Sequence, residues 1–526
     1  MRDFQLPGRS SVYASNGMCA TSHPLAAKVA IQILEAGGNA MDAAIAAGAL
    51  LGICEPQMTG IGGDCFVLAS IPGEDRIVAM NGSGRAPAAL NADKLRHQRL
   101  DVLPTHSVEA ITIPGAVDAF CQLSKDWGKI GLKASLAPAI YYAQAGVPVA
   151  PRTAFDWVAA TATLKGSARN NFLINNNAPE AGQVFRAPKQ AEVLRRIAME
   201  GRDGFYEGEV AEDMVKSLNA LGGCHTLDDF AAIQCNYTSP ISGTYKDIEL
   251  VEHPPNGQGA TAILLGNILK EFDIASLDPL GSQRIHIEAE ATKLAYDTRN
   301  RFIADPEVSD STSRMLDVSL ARDLAKLIHP NRIIQSVSSI SEQVHKDTVY
   351  LTVVDKDRMA VSLIYSIFHS FGSGIASDKF GILFQNRGAG FNLIVGHPNE
   401  AAGGKRPLHT IIPGILKQAD KVVMPFGVMG GQYQSTGHMR FISNMVDFGM
   451  DPQSAIDAPR SFAEGNELRV ERGYSNKVRA ELSELGHNVV IPPGPIGGAQ
   501  AIKINHETGV LEGASDPRKD GCALGY

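Results

Sequence analysis

Asp347-Thr348-Val349-Tyr350-Leu351-Thr352-Val353-Val354-Asp355 decides how this chain folds. A threonine opens an alternating run rich in β-branched residues. The charged turn Lys356-Asp357-Arg358 then leads into a second run, Ala360 to Ile367. This pattern predicts a β-hairpin with Thr348 at its upstream end.

Motifs on both sides of the hairpin extend the reading. Upstream lie Ala20-Thr21-Ser22-His23-Pro24, Gly37-Gly38-Asn39-Ala40-Met41-Asp42-Ala43-Ala44, Glu55-Pro56 and Gly60-Ile61-Gly62-Gly63-Asp64-Cys65-Phe66. Thr112-Ile113-Pro114-Gly115-Ala116, Leu294-Ala295-Tyr296 and Asp305-Pro306 follow. Downstream are Phe371-Gly372-Ser373-Gly374-Ile375, Lys405-Arg406-Pro407-Leu408, Gly430-Gly431 and Ala514-Ser515-Asp516-Pro517-Arg518. In this order, over essentially the whole chain, they resemble the γ-glutamyltranspeptidase family. Precursors of that family cut themselves and expose a threonine as a new N-terminal nucleophile.

The resemblance implies an α/β (α+β) fold, a four-layer αββα N-terminal-nucleophile sandwich. Self-cleavage between Asp347 and Thr348 would leave a large subunit, 1–347, and a small one, 348–526, intertwined in one compact unit. The implied assembly is a heterodimer of these two chains; a dimer of heterodimers stays open. It also implies an amidohydrolase. The non-catalytic alternative, a relative kept as a binding protein, would be favoured by loss of Thr348 or Gly430-Gly431, and both are present.

A threonine suits the task for a physical reason. A hydroxyl is a weak nucleophile near neutral pH unless a base takes its proton. A free α-amino group in a short peptide titrates at about 7.7 to 8, so an N-terminal threonine supplies nucleophile and base together. In the uncut chain that nitrogen is an amide. Thr348 must therefore first attack the Asp347 carbonyl, shift the chain to an ester and release it by hydrolysis. The resemblance assigns oxyanion stabilisation to Gly430 and Gly431, whose backbone N–H groups can approach a reacting carbonyl closely. It assigns Ser366 a hydrogen bond to the nucleophile.

Substrate recognition departs from the γ-glutamyl pattern. Gly390 stands where the ammonium-binding aspartate is expected, Phe368 where an asparagine is expected, and His409-Thr410 where paired serines are expected. Ser83 falls at the position of the carboxylate-binding arginine, with Arg85 two residues later. The segment 392–404 is short for a substrate-covering lid. Arg387 brings positive charge near the lost ammonium site, and a guanidinium suits a carboxylate through paired, charge-assisted hydrogen bonds. Arg387 is the first candidate for that role and Arg85 the second, with His409 and Thr410 as added donors. The substrate expected is a small acidic amide without an amino group, such as oxamate. The alternative is a γ-glutamyl hydrolase or transferase, or a glutaryl-type acylase, of the same machinery.

Composition agrees with a folded enzyme. The 526 residues are 44% hydrophobic and 20% charged, enough for a large core. A net charge of −8 gives no basic footprint for nucleic acid or an anionic membrane, so neither partner is expected. The N-terminal residues carry no apolar signal core, and the seven cysteines form no CxxC pair, which points to reduced thiols in the cytoplasm. Cys224-His225 with Cys235 does not complete a four-ligand set, so no metal or cofactor is expected. There is no G-x-S-x-G elbow and no H-E-x-x-H.

Periodicity predicts helices over 24–35, 39–52, 116–127, 136–145, 190–200, 261–271 and 283–301. Strands are expected at 65–70, 76–80, through 344–367, and at 381–385. Residues 303–347, rich in Ser, Asp and charges, read as a surface arm before the cleavage point.

Overall fold

The computed structural model describes residues 8–309, 311–335 and 348–526. The Asp347 side of the expected cleavage point therefore lies outside the described residues, as do 344–346 of the expected strand run. The hairpin forms as expected, Val349–Val354 against Ala360–Ser366, with Val349 opposite Tyr365 and Val354 opposite Ala360. Asp355 closes its turn by accepting the Asp357 and Met359 N–H groups, each at 3.0 Å. The other oxygen of that carboxylate accepts the Ala40 N–H at 2.9 Å, tying the turn to the start of a helix.

This hairpin is the centre of a seven-stranded antiparallel sheet. Its order is Cys522–Gly525, Met18–Thr21, Val349–Val354, Ala360–Ser366, Asp64–Ser70, Val78–Gly82 and Asn236–Thr238. A second seven-stranded sheet packs on it, in the order Val12–Ala14, Leu511–Ser515, Gly498–Ile504, Lys421–Met429, Gly414–Gln418, Ile248–Glu252 and Ile241–Tyr245. Both sheets take strands from before and after position 348, so one broken peptide bond at that point would leave the core interleaved.

Strand alternation separates the layers. Val349, Leu351 and Val353, with Val361, Leu363 and Tyr365, face the helical layer that contains Pro24–Glu35 and Ala40–Cys54. Tyr350 and Ile364 face the second sheet, meeting Phe66, Ile411 and Met429. Gly427 is required there, because a Cβ would sit 2.3 Å from the Tyr350 ring. The helix Ala40–Cys54 is buried over its full length, as its alanine-rich sequence requires of a helix packed on all sides. On the far side, Gly259–Leu269 and Gln434–Val446 cover the second sheet. The layers run helix, sheet, sheet, helix.

Two expectations need correction. Residues 381–385 form no strand; only a single bridge joins Ala376 and Leu383, because this segment wraps the end of the sheet instead of extending it. The described part of 303–347 is more than a surface arm. It holds the short helices Thr312–Met315 and Val318–Ala325, which bury Met315, Ala321 and Ala325 in the second-sheet core. No helix among the described residues is long and apolar enough to cross a membrane.

Candidate active site

The same alternation aims Thr348 and Ser366 at the second sheet. They close the open end of the hairpin, with Thr348 Oγ1 hydrogen-bonded to Ser366 Oγ at 3.2 Å, and both are buried. Ser366 Oγ also accepts the Phe368 N–H at 2.9 Å and Arg387 Nη2–H at 3.3 Å. Phe368 adopts φ +80°, a strained backbone for a side chain of its size. Its ring lies under the Arg387 guanidinium at 4.0 Å.

Arg387, on the short turn Arg387–Gly390, is fully buried. Its Nη1–H donates to Thr410 Oγ1 at 3.0 Å, while Nε has no hydrogen-bond partner among the described residues. Burial pushes the guanidinium down to about 9, with the negative charge of Asp64 acting in the opposite direction. Asp64 is equally buried, and burial raises its carboxyl to about 6 against the pull of Arg387 and three hydrogen bonds. Those bonds come from Gly84 N–H at 2.9 Å, Gly115 N–H at 3.1 Å and Gln385 Nε2–H at 2.9 Å. His409 Nε2 lies 3.2 Å from Asp64 Oδ2. Burial, then Arg387 and His253, hold His409 well below the usual histidine range, so this contact is a hydrogen bond of a neutral ring and not an ion pair. His409 and Thr410 thus orient Asp64 and Arg387.

Gly430 and Gly431 follow directly on the strand Lys421–Met429, with φ of +122° and +56°. A Cβ on Gly430 would lie 2.8 Å from the Gly497 Cα. The pair opens the turn that runs into the helix Gln434–Val446. Backbone N–H groups at such a start have no helical acceptor, and the local dipole favours negative charge there. Gln258 fixes the turn by donating to Gly431 O at 3.1 Å and Thr410 O at 2.6 Å.

Thr348 and Gly430 share a small cavity of about 70 Å³. Arg152, Arg469, Lys519 and Glu464 line the same space. Arg152 Nε pairs with both oxygens of Asp156 at 2.8 and 2.9 Å, and Arg469 Nη1 pairs with Glu464 at 2.9 Å. Lys519 Nζ stands 3.8 Å from Asp156 Oδ2. The sequence alone points to none of these cations. Lys519 directly follows the Ala514–Arg518 motif, and that adjacency is its one signal. Arg85 is engaged elsewhere: it pairs with Asp305 at 3.4 Å and with Glu307, and donates to Gly404 O at 3.0 Å. Ser83 sits inside a buried amide cluster, accepting from Asn256 Nδ2 at 3.2 Å.

A larger cavity of about 290 Å³ shares Phe462 and Glu464 with the first. At its edge, His286, Glu290 and His487 bring metal-type donor atoms within 4.8 Å of one another. Each already has a protein partner: His286 bonds His487 and His329 O, each at 2.8 Å, and Glu290 pairs with Lys293 at 2.6 Å. Cys224 and Cys235 form no disulfide, and His225 Nε2 bonds Ile111 O at 3.0 Å.

The family model for gamma-glutamyltranspeptidase matches residues 26–526. Among curated proteins, the chain is 35% identical to the glutathione hydrolase-like YwrD proenzyme of Bacillus subtilis, over 98% of this chain and 99% of that protein. It is 33% identical to the oxamate amidohydrolase proenzyme of Klebsiella pneumoniae, over 98% and 100% of the two chains. Among solved structures, a cephalosporin acylase from Bacillus halodurans superposes with a TM-score of 0.92 at 37% identity, covering 100% of this chain and 99% of that one.

Proposed function

The chain belongs to the gamma-glutamyltranspeptidase family of amide-cleaving N-terminal-nucleophile hydrolases, and from that membership we propose that it is a Thr348 amidohydrolase acting on a small amide that carries a carboxylate, with oxamate as the representative substrate. The observation that carries this reading is the shared cavity, in which Thr348 and Gly430 meet a wall bearing Arg152, Arg469 and Lys519. Within that wall Glu464 is the acidic group, so the space favours an anion. Gly390, where an ammonium-binding aspartate would be needed, argues against a free α-amino group on the substrate.

In the proposed self-cleavage, Thr348 Oγ attacks the Asp347 carbonyl carbon and the peptide nitrogen leaves as the Thr348 amine. Water then hydrolyses the ester, and Asp347 departs as a carboxylate. In turnover, the freed amine takes the Oγ proton as oxygen attacks the substrate amide carbon. Gly430 and Gly431 N–H groups stabilise the oxyanion. Collapse expels ammonia, which receives its proton from the Thr348 ammonium, and leaves an oxalyl ester on Oγ. Water, deprotonated by the same amine, releases oxalate. Ser366 orients Oγ, and Arg387 acts through Ser366.

A second reading, a larger acyl donor of the γ-glutamyl or glutaryl type, draws on the adjoining 290 Å³ cavity across Phe462. Comparing oxamate, its uncharged amide oxamide, a γ-glutamyl anilide and a glutaryl anilide separates the two. Oxamate is expected to be cleaved best, and a preference for either anilide would replace the first reading with the second.

A further inference from the structure

Lys519 follows a rigid turn. Asp516 accepts Arg518 N–H at 2.9 Å on its side chain and Lys519 N–H at 3.1 Å on its carbonyl. The neighbouring Arg518 is committed to the protein, pairing with Glu471 at 2.8 Å and Asp516 at 3.2 Å. Lys519 goes the other way, into the Thr348 cavity. Its stem passes Gly498, where a Cβ would meet Lys519 Cγ at 3.0 Å. Gly498 pairs with Met429, the residue before Gly430, so the lysine stem crosses the sheet beside the oxyanion glycines.

The ammonium is poorly compensated where it stands. The Lys519 side chain is 4% exposed, and its one ion pair among the described residues is the 3.8 Å contact with Asp156, whose oxygens are both held by Arg152. Glu55, the other buried carboxyl whose charge reaches Lys519, is hydrogen-bonded by Ser22. Arg469 already has Glu464 at 2.9 Å and Glu467 at 3.3 Å. A buried cation without a close partner is costly, and a bound anion would offset that cost. Arg387 is also buried, but it donates to Ser366 and Thr410 and is not among the residues that line the Thr348 cavity.

We propose that Lys519 is the group that receives the substrate carboxylate, on a wall it shares with Arg152 and Arg469, and that it selects amides whose carboxylate adjoins the scissile carbonyl. This rests on the small-acidic-amide reading above. An amide of that kind places a fixed negative charge next to the oxyanion that develops during attack, and only a cation near both lowers the barrier. Lys519, beside Gly430, meets that requirement. A carboxylate on a longer acyl chain would be carried away from the oxyanion and gain less from it.

The test uses the processed two-chain enzyme with Lys519→Met, which keeps the stem and removes the charge, and Lys519→Arg. Mass spectrometry first establishes that both variants are cut. kcat/KM is then measured for oxamate and oxamide. Lys519→Met should lose roughly a hundredfold or more on oxamate, as expected when a buried charge pair loses one partner, with a distinctly smaller loss on oxamide, which has the oxyanion but no carboxylate. Lys519→Arg should recover part of the loss. Equal losses on both substrates, or an unchanged oxamate rate, would overturn the role of Lys519. A wild-type enzyme that prefers oxamide or an anilide would instead overturn the substrate reading, and the Lys519 proposal with it.

Discussion

Ser366 Oγ lies 3.2 Å from Thr348 Oγ1 at the open end of the hairpin, with the two side chains on the sheet face that meets Met429, the residue before Gly430. The same Ser366 oxygen accepts from Arg387 at 3.3 Å. Thr348 Oγ1 is therefore connected to a buried cation through one hydroxyl. Ser366→Ala should still fold, since a small side chain replaces another, but Thr348 Oγ1 would lose its anchor. The expected outcome is slower self-cleavage and a kcat reduced by roughly ten- to a hundredfold, with KM changed less. A time course of cleavage by gel, with steady-state kinetics on the processed fraction, measures both. Wild-type rates in this variant would remove Ser366 from the account.

Gly430→Ala should be more severe. Its φ of +122° and the 2.8 Å approach to Gly497 leave no room for a methyl group without backbone movement. Moving the N–H groups off the oxyanion is expected to cost about a hundred- to a thousandfold in kcat. A Gly430→Ala enzyme with normal kcat on its best substrate would show that the oxyanion is stabilised elsewhere.

The pH profile follows from the charges around the cavity. As the proposed base, the Thr348 α-amine must be neutral, so activity should rise as pH passes its pKa, about 7.7 to 8 for the α-amine of a short peptide. Arg152, Arg469 and Lys519 line the same cavity, and like charges disfavour the ammonium form. The acid limb of kcat/KM should therefore have its midpoint below about 7.7. A midpoint above about 8 would mean that the paired carboxylates Asp156, Glu464 and Glu467 outweigh the three cations.

Asp64 gives a stability prediction of definite sign. Burial raises its folded-state pKa from 3.8 to about 6. Between these values the unfolded chain has lost the proton and the folded chain has kept it, so stability falls as pH rises from about 4 to 6. Urea unfolding of the uncut Thr348→Ala chain, with and without Asp64→Asn, isolates the effect. The chain that keeps Asp64 should lose on the order of 3 kcal/mol relative to the Asn variant across that window. A difference that stays constant with pH would contradict the buried, raised carboxyl. At every pH the Asn variant leaves Arg387 without its counter-charge, which adds a constant penalty.

Much of the fold was legible because alternation and helical period are local signals. The helix expected at 116–127 is observed as Ala116–Trp127, and the one expected at 24–35 as Pro24–Glu35. The hairpin turn also follows from its own residues. The 381–385 run failed because short apolar segments look alike whether they pair in a sheet or wrap its end. In the candidate site, ordered motifs singled out Thr348, Ser366 and Gly430-Gly431, and hairpin parity brings the first two together. The charges were harder to read. Arg85 looks like an uncommitted cation in sequence, but its partner Asp305 stands 220 positions away. Lys519 and Arg152 reach the cavity from distant segments, and no local pattern encodes which arginine finds a carboxylate and which lysine is left without a close one.

The most direct test of the central claim is the intact mass of the purified protein beside that of Thr348→Ala. Two co-purifying chains are expected for the wild type, the smaller beginning at Thr348 and holding 526 − 347 = 179 residues. Thr348→Ala should give a single, inactive chain. A Thr348→Ala protein cut at the same bond, or one that still hydrolyses the best substrate, would contradict the assignment of Thr348 as the nucleophile.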